Sequence, residues 1–180
     1  MWKPLLKKNE SQEFMLSFCF EQSQVRLGSQ ATAATGADSR AMSFCGACLG
    51  AASLLIGIGS IGRTENAVFL LLGACVEVIA GSIAAYSAKP RDFYFPGMSP
   101  SDLRSDIQNR THSSTLLAEL IEYSEKHIAK NTEIIEQNAK IFRFSVIISI
   151  LGIILTTSPY VSNLICKSIN WIAASEAFFQ

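Results

Sequence analysis

Glu77 is the residue with the most chemistry to offer, because of where it stands. It is the single charge in the otherwise apolar stretch Ala67–Ala88. Insertion scales put an ionised acid at the centre of a membrane-crossing helix at about +2.5 to +3.5 kcal/mol. Such a carboxyl must be neutralised, hydrated or given a partner, and no basic residue lies at similar depth in any other apolar stretch. Two readings follow. In one, Glu77 forms a polar lining for ions, protons or a signalling motion. In the other, it bonds a neighbouring helix through Ser53, Ser60 or the Glu77 of a second copy.

The other chemistry-bearing residues converge less well. Cys45-Gly-Ala-Cys48 has the spacing of a redox pair. It falls at the embedded start of an apolar stretch, where a thiolate would be poorly solvated. Free cysteine there acts as a small hydrophobe. His112 and His127 are distant from these cysteines in sequence and read as surface residues rather than metal ligands. Asp102 and Asp106 share a helix spacing in a loop-rich segment. Asp38-Ser39-Arg40 reads as a polar cluster at a membrane border. There is no phosphate-binding glycine loop, nucleophile elbow, histidine-rich cluster or kinase signature. The expectation is a protein that is not an enzyme and uses no cofactor and no metal, with a membrane enzyme as the least favoured alternative.

The elements that must carry these residues are apolar helices. Ala41–Ile61, Ala67–Ala88 and Phe144–Tyr160 are each about long enough to cross a hydrocarbon core of roughly 30 Å. Charged residues make up 17% of the 180-residue chain and the formal net charge is zero, so nothing calls for nucleic acid as a partner. The rival description is a soluble bundle with unusually apolar central helices. Met1–Glu10 carries Lys3, Lys7 and Lys8, but no continuous apolar core follows as a signal peptide would require.

The expected fold is all-α, an integral membrane helical bundle. Residues 1–40 form an N-terminal cytosolic helical segment, weakened at Gly28 and Gly36. Residues 41–88 form a transmembrane hairpin, because the connector Gly62–Asn66 is short. Residues 89–142 hold a turn and a long cytosolic helix, which continues into a third span at 143–160. Pro90 ends the hairpin, Phe93-Tyr94-Phe95 fits the headgroup level, and Pro96-Gly97 reads as a turn. Ser99 and Pro100 look like a helix start, with Asp102 as a weak third-position acid. Pro159 should end or bend the third span. Residues 161–180 then form an amphipathic helix, with Trp171, Phe178 and Phe179 at an interface, or else a fourth crossing.

Small residues crowd the hairpin. Gly46-x-x-x-Gly50 lies in the first span, and Gly73 and Gly81 lie in the second. In lipid such residues let helix backbones approach closely, within the hairpin or between protomers. In the long helix, Ile128, Ile135 and Phe142 alternate with Asn131 and Asn138 as a heptad-like seam. Its partner would be Ser11–Arg40 or the same helix of another copy. Glu122–Lys126 and Glu136–Lys140 are spaced as i,i+4 pairs. All Lys and Arg residues except Arg63 and Lys167 lie in Met1–Arg40 and Lys89–Arg143. The positive-inside rule therefore places the N-terminus in the cytosol.

Ala37-Asp38-Ser39-Arg40-Ala41 enters the glycine- and alanine-rich hairpin, Pro90 to Pro96-Gly97 follows it, and a long helix with Asn131, Asn138 and Ala139 runs into another span. In this outline the chain resembles small bacterial multi-span membrane proteins and is similar to the membrane effectors of bacterial anti-phage systems. The resemblance implies a bacterial inner-membrane homo-oligomer. Its cytosolic part would sense a signal or protein partner, and its spans would perturb the bilayer. The first alternative is a non-conducting membrane anchor or accessory scaffold.

Overall fold

The computed structural model describes residues 3–61, 66–97, 104, 108–109 and 112–178, with 3–10 and 170–178 as backbone alone. The connector Gly62–Glu65, the helix start at Ser99–Asp102, Asp106 and Phe179 fall outside these residues, as do the side chains of Trp171 and Phe178. The described residues contain three long helices: α1 (Lys3–Ile61), α2 (Ala67–Ser87) and α3 (Ser113–Phe178). All three are long and apolar enough to cross a membrane. The protein is an all-α, multi-pass membrane protein.

Two helices are longer than their sequence suggests. The N-terminal segment and the first span are one uninterrupted 59-residue helix, α1. Gly28 and Gly36 do not break it, because a single glycine costs only about 1 kcal/mol of helix propensity. The long polar helix, the third span and the C-terminal segment are likewise one helix of 66 residues, α3, with Pro159 inside it. Pro159 therefore does not end the helix, and the segment after it is not a separate helix. Proline removes the N–H that would bond the Leu155 carbonyl. The Ser158 hydroxyl donates to that carbonyl instead, at 3.2 Å, which is a usual way for a membrane helix to tolerate proline.

α2 has simpler limits. The Asn66 carbonyl accepts from the N–H groups of Phe69 and Leu70. At the other end Ala88 and Lys89 donate back to Ala85 and Tyr86, and Pro90 cannot continue the ladder.

The chain divides into two compact units: 1–37 with 90–138, and 38–89 with 139–180. In the first, the α1 and α3 portions are joined by polar contacts. Gln24 donates to the Ser124 hydroxyl at 3.1 Å, and Gln30 donates to the Ile128 carbonyl and the Thr132 hydroxyl. An extended strap, residues 90–97, lies on this pair and ends at Gly97, whose φ of 104° favours glycine. Among the described residues neither Glu122–Lys126 nor Glu136–Lys140 closes into an ion pair. The one such contact is His112 with Glu13, at 4.0 Å.

The second unit packs α2 between portions of α1 and α3. The buried face of α2 is Leu70, Gly73, Ala74, Glu77, Ala80, Gly81, Ala84 and Ser87. Its spacing of three and four residues is that of a narrow helical seam. Outward-facing side chains of this unit are large and apolar, including Leu54, Ile58, Val68, Leu72, Ile79, Ile150, Leu151 and Ile154. In water so much contiguous apolar surface would drive aggregation, whereas in hydrocarbon it is the solvated surface.

Candidate functional site

Glu77 sits on the buried face of α2, one helical turn from Gly73 on one side and from Gly81 on the other. Each glycine admits a different neighbour. A Cβ at Gly81 would lie 3.2 Å from the Cys48 Cβ and 3.4 Å from the Cys45 carbonyl oxygen, so α1 packs against backbone there. A Cβ at Gly73 would overlap the Thr156 methyl and stand 3.4 Å from the Gly152 carbonyl oxygen, so α3 packs closely there. α3 reciprocates with Gly152, where a Cβ would come within 3.0 Å of Glu77 Oε1. The carboxyl is enclosed at the junction of three helices and is 2% exposed.

Its partner is Ser149 of α3, whose hydroxyl donates to Glu77 Oε2 at 2.8 Å. The Cys48 thiol of α1 reaches the same hydroxyl at 3.9 Å. Each helix thus contributes one polar side chain to a short chain, Cys48–Ser149–Glu77. Glu77 Oε1 has no hydrogen-bond partner, and among the described residues no cation pairs with the carboxyl. Oε1 is therefore the carboxyl's open hydrogen-bonding position. Ser53 and Ser60 are not the partners. Both are exposed, and the Ser53 hydroxyl donates to the Leu49 carbonyl of its own helix. Ser149 belongs to a stripe the span sequence conceals among isoleucines. Ser145, Ser149, Gly152 and Thr156 recur at helical spacing and are all buried.

The small residues of the first span behave differently. Gly46 and Gly50 are exposed, and a Cβ at either would meet nothing within 4 Å. Among the described residues their motif takes no part in packing. Among the described residues no group of His, Cys, Asp and Glu gathers as a metal site would.

In the first unit the seam faces α1 and the strap of the same chain. Ile128 is buried, Ile135 and Asn138 are half-buried, and Asn131 is 0% exposed. Phe142 belongs to the second unit and meets Phe44 edge-on, with centroids 5.6 Å apart. Asn131 does not pair with a helix. Its carboxamide accepts from the Tyr94 N–H at 3.0 Å and donates to the Tyr94 carbonyl at 2.9 Å, gripping the strap as a neighbouring strand would. Tyr94 is half-buried in this unit, while Phe95 is 68% exposed. His127 is also not a surface residue. It is 7% exposed and stacks on Tyr94, with ring centroids 3.7 Å apart.

No family model matches the chain, and neither a curated protein nor a solved structure matches it.

Proposed function

We propose that this is a non-enzymatic, oligomeric bacterial inner-membrane protein that couples a cytosolic signal or partner to membrane perturbation or ion passage. The observation that carries this reading is Glu77, a carboxyl enclosed by three apolar helices with one oxygen unpartnered. A passive anchor has no need of a group that costs a few kcal/mol to insert. A bundle whose packing responds to a donor or proton at one point does. Two further features support it. α1 and α3 each contribute residues to both compact units. Gly46 and Gly50 leave a close-approach motif vacant on α1, the surface a second copy would use. A role in anti-phage defence, where such effectors depolarise the host membrane, is the biological setting this arrangement fits.

The rival is a non-conducting anchor or accessory scaffold, and the Ser149 bond favours it, since one chain already supplies a partner for Glu77. Membrane potential in bacteria expressing the chain separates the two, measured with a potential-sensitive dye under the triggering signal, or at high expression as its substitute. Coupling predicts depolarisation that Glu77→Gln alters. An anchor predicts an unchanged potential with either residue.

A further inference from the structure

The strap 90–97 is fastened at four points within the first unit. Arg91 donates to Gln137 at 2.9 Å, Asn131 grips the Tyr94 backbone, the Tyr94 ring lies on His127, and the Gly97 N–H donates to Gln24 Oε1 at 2.7 Å. His127 is the unusual member. Tyr123 closes its other side edge-on, 4.0 Å between centroids. Among the described residues neither Nδ1 nor Nε2 has a hydrogen-bond partner. We propose that His127 is a proton-operated latch: the strap is closed on a neutral imidazole and is released when the ring takes a proton.

The surroundings give the direction. On α3 the ring has Tyr123, Lys126 and Lys130 near it, and the Lys130 ammonium already lies over the Tyr94 ring at 5.4 Å. The strap offers Tyr94, while its charged residues Arg91 and Asp92 are exposed. α1 presents buried Ser23 and Leu27, with Glu21 and Arg26 exposed. Among the described residues no carboxylate forms an ion pair with this ring. Protonation would turn the ring's one acceptor nitrogen into a second unmet N–H and would add a charge beside two lysines. Attraction of an imidazolium to the tyrosine faces is favourable, but it leaves both N–H groups without acceptors in a buried site.

Burial, then Lys130 and Lys126, hold the imidazole below its ordinary range. A group whose affinity for protons is lowered in the closed state stabilises that state at high pH. The stabilisation is lost as pH falls through the ordinary value of about 6.5 and below. The strap is therefore closed at neutral pH and opens on acidification.

A spin label at Phe95→Cys reads the latch, in full-length protein with the five native cysteines replaced and reconstituted in lipid nanodiscs. Between about pH 7.5 and about pH 4.5 the immobilised spectral component is expected to disappear, and to return when the pH is restored. His127→Phe keeps the aromatic stack and cannot be protonated, so it should hold the label immobile throughout. Asn131→Leu, which can neither accept from the Tyr94 N–H nor donate to its carbonyl, should free it at every pH. Lys126→Met removes one of the opposing charges and should move release to higher pH. The latch is overturned by a label that stays immobile to the lowest pH, by His127→Phe releasing as the parent does, or by a midpoint that Lys126→Met leaves in place.

Discussion

At the scale of single residues, what distinguishes this chain is a carboxyl with one of its two oxygens hydrogen-bonded. Among the described residues the Ser149 hydroxyl is its one donor. Interhelical hydrogen bonds in membranes average about 0.6 kcal/mol and reach about 1.7 kcal/mol, whereas stranding a buried polar group costs about 1–3 kcal/mol. Ser149→Ala leaves both oxygens of Glu77 unmet, so the larger figure governs. We expect a loss of about 1–3 kcal/mol, measured by reversible unfolding in detergent, and the same substitution should cost much less once Glu77 is Leu. Equal costs in the two backgrounds would mean that the bond does not hold the helices. The burden of Glu77 was legible in the sequence because charge at that depth has one physical meaning. Its partner was not, since a serine among isoleucines can turn to lipid or protein, and only helix rotation decides. His127 misled for a related reason. Lys126 and Lys130 beside it suggest a solvated face, yet its three- and four-residue spacing from Ser124 and Asn131 puts it on the seam.

At the scale of helices, the chain uses glycine in two distinct ways. Gly73 and Gly81 are filled by neighbours in the same molecule, whereas Gly46 and Gly50 are vacant. Gly81→Ile would drive a branched side chain into the Cys45 backbone, and overpacking of this kind costs about 1–3 kcal/mol. Gly46→Ile projects into open space and leaves the single chain's fold intact. The expected pair of results is a lowered melting temperature for Gly81→Ile, and an unchanged one for Gly46→Ile with loss of the proposed oligomer in light scattering or crosslinking. An oligomer that survives Gly46→Ile would place its contact elsewhere. The sequence revealed that both halves of the hairpin were rich in small residues. It could not sort intramolecular from vacant faces, because a small-x-x-x-small motif reads the same in each. Helix ends were similarly veiled: Pro159 looks like a terminator until Ser158 is seen supplying the missing donor.

At the scale of the whole molecule, the number of apolar helices and the charge distribution together make a prediction of how the chain threads a bilayer. An odd number of crossings puts the two ends on opposite sides. The basic residues, apart from Arg63 and Lys167, fall in the two segments that three crossings place together, and loops rich in Lys and Arg stay in the cytosol. Cys19 and Cys166 are both exposed free thiols, and they lie before the first span and after the third. They serve as built-in reporters once the remaining cysteines are replaced. In intact spheroplasts a membrane-impermeant maleimide should label a chain retaining Cys166 alone, and should label one retaining Cys19 alone only after lysis. The reverse pattern would invert the orientation. Labelling of both thiols from the same side would require an even number of crossings, and the last part of α3 would then have to return through the bilayer. That outcome conflicts with α3 running as one helix through Phe178, since a return needs a turn and an uninterrupted helix does not supply one. Lys167 bears on the same choice. Beyond the third span it sits in water or headgroups at little cost, whereas within a further crossing it would add about 2.5–3.5 kcal/mol unless it reached an interface.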